Sequence, residues 1–322
     1  MFQSILVPLD GSRIAAQALP YAMALAQARA ADITLLGVVA PPGSRDVGMP
    51  RVARREADER TMATTTAYLR SMAATVRARG LTAAITVRHG DPAAAIIDCA
   101  ADDARTLIVM STHGRTGWER LRLGSIAQHV LRHATVPVML VRAQERGAAE
   151  VTGAIGEVTV TLDGSPLAEA ALPVGAHLAE SLAVPLTLLR VLPRVVYPAY
   201  EATAAVSPLP IEDLERAGEA ATQEYLACIA ARIRRPRLAV RTVWRQSGER
   251  PPEERIIDYL TAHPTPIAVM ASHGRGGVLR WALGSTVEGV LTSAPCPVVI
   301  VRAGTGAANE GGGAAVASVS EG

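Results

Sequence analysis

The sequence predicts an α/β protein built as two tandem open doubly wound domains, each Rossmann-like with a five-stranded parallel sheet. The first observation behind this is a repeat. "ILVPLDGSRIAAQAL" from Ile5 returns as "VTVTLDGSPLAEAAL" from Val158, "VMSTHGRTGWERLRLGS" from Val109 as "VMASHGRGGVLRWALGS" from Val269, and "HATVPVMLVRA" from His133 as "SAPCPVVIVRA" from Ser293. The second is length: 322 residues divide into two units of about 150, a domain's size and too long for a solenoid repeat. The third is alternation. Short apolar, β-rich runs interleave with helical patterns, which implies parallel strands joined by right-handed crossovers.

Taken in order, the first copy opens with a strand near 3–9 that ends at Asp10, and a helix near 12–29 carries Ala, Leu and Met on one face. "ITLLGVV" gives a second strand near 33–39. A Pro/Gly/Arg segment at 40–54 then leads to a long helix near 55–79 and a strand near 82–88. "GDP" at Gly90–Pro92 starts a short helix that ends near Ala101, and "TLIVMS" is a buried strand. After a glycine-bearing loop, a helix starts at Ser125 and "VPVMLVR" closes the unit. The second copy repeats this order. The domains are expected at 1–143 and 156–303, with a linker at 144–155 and a Gly/Ala/Ser-rich disordered tail at 304–322; segment 192–210 reads as a second irregular loop.

Composition excludes several functions. The net charge is +2, so no general pull toward nucleic acid or anionic lipid is expected. No apolar run is long enough to span a membrane, and "MFQSILVPLDGS" lacks a basic n-region, so a cytoplasmic location is expected. Cys99, Cys228 and Cys296 are scattered singly, with neither metal-ligand spacing nor a disulfide framework. All 32 cations are arginines. Without lysine there is no GxxxxGK[ST] loop, no Schiff base and no kinase-type phosphate lysine. A phosphate site would have to use backbone N–H groups, arginines, hydroxyls and helix ends.

In an open α/β sheet, ligands bind beyond the carboxyl ends of the strands where strand order reverses. Asp10 and Asp163 stand there in "LDGS"; each can accept from a ribose hydroxyl or an adenine amine, or simply bond its own turn, and for the aspartate alone the turn is favoured. The loops "STHGRTGWERLRLGS" and "ASHGRGGVLRWALGS" say more. Gly114 is followed by nine residues and Gly124-Ser125, and Gly274 by nine and Gly284-Ser285. Gly117 and Gly277 lie within these loops, with Arg115 and Arg275 as matched cations and Arg120, Arg122 and Arg280 beyond them. Helices beginning at Ser125 and Ser285 offer free N–H groups and a positive dipole end to a phosphate. Ser125-x-x-Gln128 and Ser285-x-x-Glu288 also read as capping boxes, which would explain both serines without a ligand. His113 and His273 precede the glycines. No nucleophile or carboxylate is spaced to work with them, so no catalytic residue and no resident metal site is expected.

With these residues the chain resembles a tandem protein of the universal stress protein (UspA) family, over nearly its whole length apart from linker and tail. The family's nucleotide pattern is Gly, two residues, Gly, nine residues, Gly, then Ser or Thr. The resemblance implies ATP, with Mg²⁺, held at the ends of strands one and four. Asp10, Val38, Gly114, Gly124 and Ser125 match in copy one, and Asp163, Val191, Gly274, Gly284 and Ser285 in copy two. Ser111 and Ala271 stand where the pattern has its first glycine; Ser111 can itself donate to a phosphate. The implied role is stress adaptation through nucleotide-dependent conformational signalling. The alternative is a nucleotide-independent scaffold whose last strands pair with each other, in a tandem unit or a homodimer. An enzyme ranks third, limited to slow ATP hydrolysis.

Overall fold

The computed structural model describes residues 2–40, 51–112, 123–142, 153–193, 211–272 and 283–302. The first copy runs β1 (Ser4–Pro8), α1 (Arg13–Ala16), α2 (Leu19–Arg29), β2 (Asp32–Val39), α3 (Arg51–Arg77), β3 (Ala83–His89), α4 (Pro92–Ala101), β4 (Thr106–Ser111), α5 (Ser125–His133) and β5 (Val138–Val141). The second copy runs β6 (Glu157–Leu162), α6 (Pro166–Glu169), α7 (Leu172–Leu182), β7 (Leu186–Leu192), α8 (Ile211–Arg232), β8 (Val240–Gln246), α9 (Pro252–Ala262), β9 (Pro266–Ala271), α10 (Ser285–Ser293) and β10 (Val298–Val301).

All ten strands form one sheet in the order β3-β2-β1-β4-β5-β10-β9-β6-β7-β8. Each half is parallel throughout. The seam between them is the single antiparallel pair among the described residues, β5 with β10, with Val298, Val299 and Ile300 opposite Leu140, Met139 and Val138. Alternate strand residues feed two cores. Ile5, Val7, Ile33, Leu35, Leu107 and Val109 face α2 and α3, while Leu6, Leu36, Ile108 and Met110 face α4 and α5. Both cores run continuously through the seam, where Met139 and Val299 are fully buried. The pairing gives each last strand a partner and leaves β3 and β8 as the outer edges.

The helix expected over 12–29 is broken in two, and its counterpart in copy two breaks at the same place. Pro20 and Pro173 are the cause: each lacks the N–H that a continuous helix would donate four residues back. The chain instead tightens, with the Gln17 and Ala18 N–H groups donating to the carbonyls of Ile14 and Ala15. α2 and α7 also pack on one another. Arg29 Nη2 lies 2.8 Å from His177 Nδ1, Arg29 Nε donates to Ser181 Oγ at 2.5 Å, and the Phe2 ring meets His177 edge-on. The expected linker lies mostly outside the described residues and the expected tail wholly so.

Candidate functional site

Strand order reverses between β1 and β4, and again between β6 and β9, so each half has its topological switch point, the usual place for a ligand in such sheets, beyond those strand ends. In the first half Asp10 follows β1. Its Oδ1 accepts the Ser12 N–H at 2.9 Å, Gly11 takes a φ of 84° that favours glycine, and Ser12 Oγ caps α1 by accepting the Ala15 N–H at 3.0 Å. The second half matches. Asp163 Oδ1 accepts the Ser165 N–H at 2.8 Å and its hydroxyl at 2.6 Å, and Ser165 caps α6. The turn expected at "LDGS" is therefore present, with the serine as the helix cap. The same turn holds each carboxyl group at the strand end.

Val38 and Val191 are the penultimate residues of the neighbouring strands, on the face shared with α4, α5 and their counterparts. Val38 is half-buried, and Leu36 just before it accepts the Leu9 N–H at 2.8 Å, which brings the two strand ends together.

Ser111 closes β4 at 6 % exposure, and its hydroxyl is buried with no hydrogen-bond partner among the described residues. Ala271 occupies the same place at the end of β9. Beyond them the loop stems are tied by repeated bonds. The Thr112 N–H donates to the Val141 carbonyl at 2.9 Å and the Gly124 N–H to the Thr112 carbonyl at 3.0 Å; the Ser272–Val301 and Gly284–Ser272 bonds, at 2.8 and 3.2 Å, repeat them. The loops themselves, with His113, Gly114, Arg115 and Gly117 in one copy and His273, Gly274, Arg275 and Gly277 in the other, lie outside the described residues.

The capping boxes are not formed. Gly124 and Gly284 are the N-caps, without a side-chain hydrogen bond, and Ser125 and Ser285 are already the first helical residues and are exposed. The loop stem sets this start: once the glycine N–H is fixed to the strand-end carbonyl, the glycine's own carbonyl accepts the first helical bond, from Gln128 or Glu288 at 2.9 Å. Among the described residues no side chain at the cap thus covers the first-turn N–H groups. Gly284 has φ −62° and ψ 145°, open to any residue, and an added Cβ would come no closer than 3.8 Å to Ser272 O and 4.0 Å to Val287 Cγ2 among the described residues. Neither backbone conformation nor crowding there calls for glycine.

Sequence reading missed Tyr68 on α3, whose hydroxyl is buried without a hydrogen-bond partner among the described residues. Burial first, and then the Asp10 charge, pushes that phenol up. It also missed Arg190 and Tyr225 in the second half, where the guanidinium lies 4.9 Å from the ring centroid and the Tyr225 hydroxyl donates to Glu169 Oε1 at 3.1 Å. Arg190 had a visible signal: it is a cation inside the apolar run "LTLLRVL", where copy one has Gly37. Among the described residues no cluster of three His, Cys, Asp or Glu side chains could hold a metal, and no helix is long and apolar enough to cross a membrane.

The family model described as "Universal stress protein family" matches residues 1–142 and 155–302. A universal stress protein of Mycolicibacterium smegmatis is 28 % identical over 303 residues, covering 92 % of this chain and 96 % of the relative. One from Methanocaldococcus jannaschii is 29 % identical over 147 residues, covering 45 % of this chain and 85 % of its own. The crystal structure of a universal stress protein from Archaeoglobus fulgidus shares the fold, with a TM-score of 0.65 at 19 % identity over 94 % of this chain and 99 % of that one. With one match to each copy, the chain belongs to the universal stress protein family, in tandem two-domain form.

Proposed function

We propose that this protein binds ATP or a related adenine nucleotide at the ends of β1 and β4, and signals in stress adaptation through the accompanying conformational change. The observation that carries the reading is the bare helix start beside the strand-end aspartate. Gly124 and Gly284 cap their helices with no side chain, so the first-turn N–H groups and the positive helix end are left for a phosphate. A glycine that the local fold does not demand is suited to close approach by a ligand. The buried Ser111 hydroxyl adds a donor that lacks an acceptor. Asp10 and Val38, at the next strand ends, would hold the nucleoside. ATP would bring its own Mg²⁺. His113, Gly114, Arg115 and Gly117 would line the phosphate side; His273, Gly274, Arg275 and Gly277 are their counterparts in the second copy.

Equilibrium dialysis of the full chain against ATP, ADP and cyclic AMP at millimolar concentration tests the reading; saturable binding supports it and no binding ends it. One observation favours a second reading, a nucleotide-independent scaffold: the last strands already pair across the seam. Substituting Gly124 and Gly284 together by valine would leave a scaffold working and would abolish a nucleotide-dependent function.

A further inference from the structure

The two halves differ at the ligand edge. In the first, Gly37 near the end of β2 lies under α3, where a Cβ would meet Thr65 Cγ2 at 2.5 Å and Leu69 Cδ1 at 3.1 Å. Tyr68 adjoins Leu69. Among the described residues its hydroxyl is buried with no hydrogen-bond partner, and it lies within electrostatic reach of Asp10. The Ser111 hydroxyl at the end of β4 is orphaned in the same way. Buried polar groups are normally paired, so two orphans at one sheet edge point to an absent partner that both accepts and donates.

In the second half neither position keeps that property. Tyr225 stands where copy one has Tyr68, and its hydroxyl is engaged by Glu169, which Arg232 pairs with in turn. Arg190, 9 % exposed, covers the ring. Arg190, Glu169 and Arg232 replace Gly37, Ala16 and Thr75, and Ala271 replaces Ser111. Thr222, at the place of Thr65, has a buried hydroxyl without a partner among the described residues, so the contrast lies in the tyrosine and the strand-four positions.

Building on the nucleotide reading above, we infer that the first copy is the ligand-holding half and that Tyr68 reads the ligand's ribose. The Asp10 carboxylate accepts from one hydroxyl of the vicinal diol, and the Tyr68 hydroxyl donates to its neighbour. In the second copy Tyr225 is committed to Glu169, and that half serves as structure.

The test is calorimetry on the full chain with ATP and with 2′,3′-dideoxy-ATP, which lacks both ribose hydroxyls, for wild type, Tyr68→Phe and Tyr225→Phe. The wild type should take one ATP per chain. Tyr68→Phe should weaken ATP by about fivefold to tenfold, the size of one neutral hydrogen bond, and leave the dideoxy ligand unchanged. Tyr225→Phe should leave affinity and stoichiometry as they are. The unliganded melting temperature of Tyr68→Phe should be no lower than wild type, because the hydroxyl it removes has no partner. Two equal sites per chain, or a Tyr68→Phe loss that is the same for both ligands, overturns the inference while sparing the nucleotide reading. Absence of any ATP binding removes both.

Discussion

His177 ties the stability of the domain contact to pH. It lies on α7 against α2 at 8 % exposure, with Nδ1 facing Arg29 and the Phe2 ring beside it. Burial, reinforced by the positive charges of Arg29 and Arg235, lowers its pKa to about 4 from 6.5. The folded chain therefore keeps this imidazole neutral where the unfolded chain takes up a proton. Protons favour the unfolded state across that window, so the contribution is complete above pH 6.5 and is lost as pH falls toward 4. At about 1.4 kcal/mol per unit the full effect is about 3 kcal/mol, of which about 2 kcal/mol disappears between pH 7 and pH 5. Urea unfolding at the two pH values, followed by tryptophan fluorescence, measures the loss. In His177→Leu the pH dependence should shrink by that amount, whatever the variant's absolute stability. An equal loss in wild type and variant would refute the assignment.

Three more predictions follow from the same geometry. Gly124→Ala should cost the unliganded fold about 1 kcal/mol or less, because the cap's φ of −59° suits alanine, yet weaken ATP at least about tenfold; dialysis beside a thermal melt separates the two effects. Val299→Asp would place an unpaired carboxylate in the buried seam between β5 and β10 and should cost several kcal/mol, seen as a collapse of the urea midpoint. Ala30 and Ala183 end α2 and α7 with φ of 51° and 54°, so glycine at either should raise stability by about 1 kcal/mol in the same assay.

Much of the fold was legible because the sequence states it twice. The strand "TLIVMS" and the helix start at Ser125 agree with β4 and α5 residue for residue. The break at Pro20 was overlooked because the apolar pattern continues across it, and periodicity says nothing about a missing N–H. The capping boxes misled for a longer-range reason. Sequence spacing assigns Ser125 the cap, but a bond from Gly124 to the Thr112 carbonyl across the loop makes the glycine the cap instead. Of the candidate site, Asp10 and Gly124 were readable from topology and spacing, while Val38 and Ser111 entered only through the family resemblance. Tyr68 was not, since only packing of α3 over Gly37 brings a residue 58 positions from Asp10 into its field. Arg190 was visible as a charge in an apolar strand, but its role depends on Tyr225 and Glu169, which are distant in sequence.

The central claim is that a nucleotide seats on the bare start of α5 beside Asp10. Amide hydrogen exchange of the full chain, with and without saturating ATP, reads those groups directly. The account predicts that ATP protects the N–H groups of Ser125, Ile126 and Ala127, together with the Asp10–Ser12 turn, and leaves the β5–β10 seam unchanged. Unaltered exchange at the α5 start and at Asp10–Ser12 while ATP is bound would contradict it.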